Sequence, residues 1–327
     1  MEFRLDDGQI ALQDTVRRFC ASHFPIDQLG ESTIGPTDRE LWKAMAAIGL
    51  FGLLVPEAEG GSGLGAIESA VVFEQLGAGL APGPLLWTVL AAGMVAGAAT
   101  GDQLVGGFDA LTAEAEPCLV EHASEVDVLL VLRTDGVFAC SRSDLPSPQE
   151  LAPLDPGTPV SRFDTLPAGE TVGNAAAAAG LRELGTVLGA ALLLGISATA
   201  LEVARSYALE REQFGTPIGS FQAVKHLLAD MYVRTALARS ATYAAAAIIA
   251  GVGPGDAPTS VATAKLLAGV AAVENASNAV QILGGMGFTW AMPPNFLLKR
   301  ALVLDQAFGT TDHHALAISA AIAGDAR

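Results

Sequence analysis

Three long stretches after Asn174 constrain this chain's fold more than any other feature. Ala175 to Phe214, Ser220 to Gly251 and Thr259 to Leu283 each carry apolar residues at three-to-four spacing. Phe221, Val224, Leu228, Met231 and Thr235 form one such stripe. The alanine runs Ala175 to Ala179 and Ala244 to Ala247 are strong helix formers. Stretches of that length and period predict long helices packed as an antiparallel bundle. Ser220 and Thr259 are the expected N-caps, the latter after Pro258. A shorter helix near Asn295 to Leu304 and a last one from Thr311 onward complete the bundle.

The first hundred residues also read as helical, broken by Gly and Pro, with helices expected over Gln9 to Cys20, Arg39 to Leu50, Ile67 to Gly77 and Leu85 to Ala98. The glycine-rich segment Val55 to Gly65 is expected to be a structural loop. No strand precedes it in the arrangement a phosphate cradle needs, and no Lys-Ser/Thr follows. At about Asp102 the character changes. Val126 to Leu132 and Gly136 to Cys140 are strand-like runs around the turn Thr134-Asp135-Gly136, which predicts a hairpin. The fold class is therefore mainly α with a small β domain. Residues 1–102 form an N-terminal helical domain, 103–172 a short middle β domain, and 173–327 a C-terminal four-helix bundle.

At 327 residues the chain can bury a core without disulfides. Cys20, Cys118 and Cys140 are odd in number and lack CxxC spacing, which points to a reducing compartment and no metal site. The net charge of −17 argues against nucleic acid and anionic membrane surfaces, so an anionic ligand must be captured by locally placed cations. The N-terminus, M-E-F-R-L-D-D, does not read as a signal peptide. Leu76 to Gly101 is uncharged, but Pro82 and Pro84 leave an apolar remainder too short for a span of ~20 residues. A cytoplasmic protein without membrane insertion is expected.

Two segments carry chemistry. Arg211 to Gln222 read R-E-Q-F-G-T-P-I-G-S-F-Q, and Gln281 to Phe288 read Q-I-L-G-G-M-G-F. Gly215 and Pro217 should stop the first long helix with Arg211 on its last turn. At Gly284 and Gly285 a ligand can come close to the backbone because there is no Cβ. A guanidinium fork suits a diphosphate, because it donates two parallel charge-assisted hydrogen bonds.

These two motifs, the order of domains, and L-W-K-A-M-A-A-I-G-L-F-G-L-L-V-P-E-A-E-G-G-S-G over Leu41 to Gly63 resemble the acyl-CoA dehydrogenase family along nearly the whole chain. The resemblance implies FAD as cofactor and an acyl-CoA thioester as substrate. The reaction is α-proton abstraction by a glutamate, with β-hydride transfer to flavin N5. It also implies that one subunit holds the ADP half of a FAD whose flavin ring sits in the other. Carried over, Arg211 would bind the pyrophosphate, and Phe214 and Gln222 would line the cofactor. Gln281, Gly284 and Gly285 would lie near the adenosine end, and Thr310 is a further cofactor-binding position.

The departures from the family are informative. Where it carries Y-E-G-T before the last helix, this chain reads A-F-G-T, with Phe308 at the position of the base. The alternative base position, on the first bundle helix, is Gly185, and the arginine often next to it is Thr186. Glu183 lies two residues away, turned about 200° to another face, and is a weak candidate for a base. The family's L-T-E-P-x-A-G-S-D loop and I-T-N-G strand are missing between 103 and 172; Glu116-Pro117 is the nearest approach. The resemblance then implies a non-catalytic subunit of a heteromeric enzyme, with a longer homologous partner in a two-plus-two assembly. Shortened subunits of this kind resemble enzymes acting on CoA thioesters of steroid side chains, with an electron-transfer flavoprotein as possible acceptor. Two alternatives remain: a self-sufficient homodimer with Glu183 as base, and a non-enzymatic scaffold of the same fold. His313 and His314 read as the polar start of a helix, because adjacent helical residues diverge by about 100°. Lys299-Arg300 reads as a solvated pair, or as a contact for CoA or a partner chain.

Overall fold

The computed structural model describes residues 5–29, 37–111 and 117–325. Helix α1 (Asp7–His23) starts in a capping box formed by Asp6 and Gln9, and α2 (Arg39–Ala47) is capped by the side chain of Asp38. Helices α3 (Ala66–Ala78) and α4 (Leu85–Ala91) follow. The expected helix over Leu85 to Ala98 stops at Ala91 and continues as turns, where Gly97 and Gly101 take positive φ. The loop from Val55 to Gly65 spends its amides on itself. Gly61 N–H donates to Pro56 O (3.1 Å), Gly63 N–H to Val55 O (2.8 Å) and Leu64 N–H to Leu53 O (2.8 Å). Those amides are not presented to a phosphate.

The middle region holds two small sheets. Strands β1 (Val105–Asp109), β3 (Val128–Leu132), β4 (Gly136–Ser141) and β7 (Glu170–Asn174) lie in that order, with β1 and β3 parallel and the other pairs antiparallel. The β3–β4 hairpin turns at residues 133–135, as its sequence predicts. Strands β2 (Cys118–Glu121), β6 (Val160–Phe163) and β5 (Gln149–Leu151) form the second sheet. Alternation along β3 splits the core. Leu129 and Val131 face a small cluster with Val120, Cys140 and Phe163, whereas Leu130 and Leu132 join the main core shared with the helices.

The bundle consists of α5 (Ala175–Glu210), α6 (Gln222–Ile249), α7 (Ala257–Leu283), α8 (Pro293–Gln306) and α9 (Thr311–Asp325). Both expected N-caps are corrected. Asp256 caps α7 by accepting from Thr259 N–H (2.9 Å), which puts Thr259 inside the first turn. Phe221 occupies the N-cap position of α6 without a side-chain bond, while Ser220 donates its hydroxyl back to Pro217 O (2.7 Å). Helix α5 and the stretch Ala257–Phe288 are long and apolar enough to cross a membrane. Here α5 packs against α3, α6, α7 and α8, and its segment from Gly185 to Ser197 is buried throughout.

Close approach of α3 and α5 depends on two glycines. A Cβ on Gly77 would lie 2.1 Å from Leu192 O, and one on Gly195 would lie 2.0 Å from Glu74 O. Polar groups fix the register around this contact. Asn275 Nδ2 donates to Ser197 Oγ (2.8 Å), Thr235 Oγ1 (2.9 Å) and Met231 O (3.0 Å), joining α5, α6 and α7. Glu74 on α3 accepts from Arg239 (2.7 Å) and Tyr243 (2.6 Å) on α6. Gly77→Val or Gly195→Val should lower the thermal midpoint, each costing about 3 kcal/mol by overpacking. Gly180→Ala on the open face of α5 should leave the midpoint unchanged or raise it slightly. Differential scanning calorimetry of the three variants checks this.

Candidate functional site

The segment after α5 folds into a short hairpin. Arg211 is the C-cap residue, just past the last helical turn expected to carry it. Strands β8 (Glu212–Gln213) and β9 (Thr216–Pro217) pair antiparallel around Phe214 and Gly215. Both loop residues have positive φ, 54° and 77°, as a two-residue hairpin of the primed type requires. Glycine accepts that backbone without strain, but phenylalanine does not. Phe214 is nonetheless 95% exposed and touches Phe221 edge-on (centroids 6.2 Å apart). Packing within the chain therefore does not explain the strained residue.

Across from this hairpin, α7 ends at Leu283, and Gly284 turns the chain with φ 63°. A Cβ on Gly284 or Gly285 would meet no atom within 4 Å. Arg211, Gly284 and Gly285 line one open groove together with Tyr207, Gln213 and Met286. The Arg211 guanidinium is exposed and has no side-chain partner among the described residues. Gln213, Tyr207 and Met286 were not singled out from sequence; the R-E-Q-F spacing could have pointed to Gln213. Phe214, Gln222 and Gln281 are exposed and do not line the groove. Thr310 lies elsewhere, on the turn between α8 and α9, where its hydroxyl oxygen accepts from His313 N–H (3.1 Å).

That turn carries Phe308, whose φ of 56° is again left-handed. Its ring is 2% exposed and lies on Trp87, with centroids 4.7 Å apart. Gly185 borders the ring so closely that a Cβ there would sit 2.5 Å from Phe308 Cζ. On the other side, Gly107 of β1 meets the Trp87 indole, where a Cβ would be 2.1 Å away. Two glycines thus make room for two aromatic rings in contact, tilted by 30°. The two positions that could have carried a base are neighbours in space, and one aromatic side chain fills the space between them. Thr186, buried beside them, spends its hydroxyl on Arg182 O (2.7 Å). Glu183 is half-buried on α5 and has no hydrogen bond or ion pair among the described residues. Glu116 lies outside the described residues.

Two buried bases hold the Phe308 turn. Lys265 on α7 is fully buried and donates from Nζ to Asp305 O (2.8 Å) and Gly309 O (2.7 Å). Burial pushes its ammonium down to about 8, opposed by the Asp305 carboxylate 3.9 Å away. His314 Nε2 is 2.9 Å from Phe308 O, so its neutral tautomer carries the proton on Nε2 and donates it. Burial pushes His314 down to about 4, helped by the charge of Lys265 and opposed by that hydrogen bond. His314 is therefore a buried support of the turn, not only the polar start of a helix. Lys299-Arg300 is corrected as well. Arg300 is half-buried, paired with Asp155 of the β region and donating to Ala81 O (3.2 Å), while Lys299 Nζ sits 3.9 Å over the Trp290 ring. Neither is a freely solvated charge.

Comparisons with known proteins agree with this architecture. The chain matches the acyl-CoA dehydrogenase N-terminal domain over residues 6–103 and the acyl-CoA dehydrogenase C-terminal domain over residues 182–323. It is 32% identical over 270 residues to the acyl-CoA dehydrogenase IpdE2 of Mycobacterium tuberculosis, covering 81% of this chain and 80% of that protein. Among solved structures it resembles a variant of the Tcur3481-Tcur3483 steroid ACAD, with TM-score 0.83 and 25% identity, covering 98% of this chain and 99% of that one. It also resembles the ChsE4-ChsE5 complex from Mycobacterium tuberculosis, with TM-score 0.81 and 25% identity over 99% of both chains. The chain belongs to the acyl-CoA dehydrogenase family.

The buried histidine gives this turn a pH signature. A folded-state value near 4 lies below the ordinary 6.5, so the unfolded chain binds the proton more readily. The stability contributed by neutral His314 is fully present above about pH 6.5 and is lost as pH falls through about 4. The fall from 6.5 to about 4, at 1.36 kcal/mol per pKa unit, corresponds to a loss of about 3 kcal/mol. Urea unfolding between pH 7 and 4 should fall more steeply for the wild type than for His314→Gln.

Proposed function

We propose that this chain is the non-catalytic subunit of a heteromeric FAD-dependent acyl-CoA dehydrogenase. It would contribute the ADP-binding edge of a cofactor site completed by a longer homologous partner. The observation that carries this reading is the Gly107–Trp87–Phe308–Gly185 stack. It fills the space between the two positions where the family has its glutamate, and phenylalanine cannot accept a proton. A thioester α-carbon has neither room nor a base there. Glu183, two residues along the same helix from Gly185, belongs to a different face, which weighs against the homodimer reading.

The ADP half of FAD fits the opposite end of α5. The unpaired Arg211 fork can take the pyrophosphate, and the open Gly284–Gly285 backbone allows close approach. Phe214, Gln222 and Gln281 are exposed and do not line that groove, so in this reading they would meet a cofactor shared with another chain. When bound, FAD supplies a two-electron acceptor for the hydride from the substrate β-carbon. This chain's own part is to hold the diphosphate and keep water from its filled pocket, while the partner's carboxylate would take the α-proton. Thr310, on the turn beside Phe308, would then belong to this chain's own unused pocket and not to the shared site. The likeness to a steroid ACAD and to a two-protein complex supports a steroid-type acyl-CoA as substrate class and an assembly of two copies of each chain.

In the purified complex, Arg211→Ala should weaken FAD retention by one to two orders of magnitude, matching roughly 1.5–3 kcal/mol for a charge-assisted hydrogen bond. Arg211→Lys should lose less, because it keeps the charge without the fork. Flavin absorbance after gel filtration reads this out, and unchanged FAD occupancy in Arg211→Ala would sink the assignment of the groove. Phe308→Glu should create no second active site. A carboxylate among Trp87, Gly185 and Gly107 would be desolvated and would favour its protonated form. Acyl-CoA-dependent flavin bleaching per complex should not rise in Phe308→Glu and should be nearly unchanged in Glu183→Gln. A large loss with Glu183→Gln, flavin still bound, would make this chain the catalytic one.

A further inference from the structure

The three tyrosines of the chain differ in how their hydroxyls are used. Tyr243 on α6 donates to Glu74 (2.6 Å), and Tyr232 on the same helix is 65% exposed to solvent. Tyr207 on α5 is half-buried, with its ring packed against the main core. Its hydroxyl has no hydrogen-bond partner among the described residues, and the residue lines the Arg211 groove.

Helix geometry explains why tyrosine and arginine meet the same groove. Ala200, Ala204 and Ala208 are buried against the bundle at four-residue spacing near the end of α5. Tyr207 and Arg211 keep the same spacing on a row turned by about 100°, so they lie one above the other at the rim. Arg211 N–H donates to Tyr207 O (2.9 Å), which holds the two in register although Arg211 is already the C-cap. Gln213, the third polar side chain in the groove, already donates from Nε2 to Glu212 O (2.8 Å). Among the described residues, the unspent side-chain donors of the groove are therefore the Arg211 guanidinium and the Tyr207 hydroxyl.

We propose that Tyr207 is a further cofactor-binding residue, whose hydroxyl donates to a phosphate oxygen of the diphosphate that Arg211 takes by charge. The inference rests on the reading of this groove as the ADP-binding edge, and adds to it a residue and an atom. An ionised diphosphate accepts hydrogen bonds and donates none, so a hydroxyl facing it acts as the donor. Packing fixes the ring before any ligand arrives, so the hydroxyl loses little rotamer freedom on binding, whereas the exposed arginine must be ordered. The two donors thus divide the task. Arg211 supplies the charge, and Tyr207 supplies a fixed point that sets where along α5 the diphosphate lies. Ile218, Ile282 and Leu283 give the same groove an apolar surface for the sugar and base.

ADP and adenosine are the probes, titrated into the purified complex after its flavin has been removed. Calorimetry follows ADP, and ligand-observed NMR follows adenosine. Tyr207→Phe keeps the ring and removes only the hydroxyl. It should weaken ADP and FAD about tenfold, the lower end for a hydrogen bond to a charged group, and leave adenosine within about twofold. Unchanged ADP affinity in Tyr207→Phe, or an equal loss for adenosine, would overturn the proposal. Arg211→Ala separates the two levels of the reading. A loss of ADP affinity there with none in Tyr207→Phe removes only the tyrosine, whereas no loss in either variant removes the groove as well. A fluorinated tyrosine placed at 207 serves if Tyr207→Phe does not fold. Its fluorine resonance should shift with ADP and not with adenosine, and a resonance that ADP leaves in place would overturn the proposal.

Discussion

The burial of α5 on all sides is the constraint on which the rest of the molecule depends. Between Gly185 and Ser197 the helix has no exposed residue, and it meets α3 so closely that Gly77 and Gly195 leave no space for a methyl group. Overpacking such a contact is as costly as emptying it. With α5 fixed, its C-terminal end sets Arg211 opposite the Gly284–Gly285 turn of α7, and its N-terminal half presents Gly185 to the turn between α8 and α9. One helix therefore positions both the open groove and the filled pocket.

These two regions differ in how their polar groups are used. In the filled pocket every backbone carbonyl at the turn that the buried bases can reach is taken: Lys265 binds those of Asp305 and Gly309, and His314 that of Phe308. Such a closed network fixes the turn that carries Phe308. In the groove the Arg211 guanidinium is unpaired, the glycine backbone is open, and a phenylalanine holds a strained conformation in solvent. Unspent donors and unrelieved strain are what a surface awaiting a ligand or partner would carry. Against a net charge of −17, an unpaired guanidinium is also the sort of local cation an anionic ligand needs.

The β region is tied to the helices by ion pairs rather than by a broad apolar face alone. Arg182 of α5 meets Asp109 of β1 (2.8 Å), Arg300 of α8 meets Asp155, and Arg39 of α2 meets Asp127 (2.6 Å). The first two are largely buried, so removing one partner would leave a charge without compensation. These arginines join segments far apart in the chain, and in each case the guanidinium links a helix to the β region.

The long helices, the hairpin at Thr134-Asp135-Gly136 and the two family motifs were legible in the sequence, because periodicity, turn chemistry and motif spacing are local. That Phe308 stands where the resemblance expects a base was legible for the same reason. What stayed hidden depended on contacts between distant segments. That Arg300 is paired with Asp155 follows only from the β region folding against α8, and its neighbour Lys299 gave no hint of it. Thr259 looked like a cap until Asp256, three residues earlier, took that role. Gly107 is unremarked in the sequence and Gly185 stands out there only as an alternative position for a base; only the tertiary structure makes them the two walls of an aromatic pair. The sequence by itself determined which helices form and that neither position where the resemblance expects a base carries a carboxylate. Tertiary packing alone decided that those positions adjoin and are filled, because the distance between residues more than a hundred apart is set by how α5 packs, not by any local pattern.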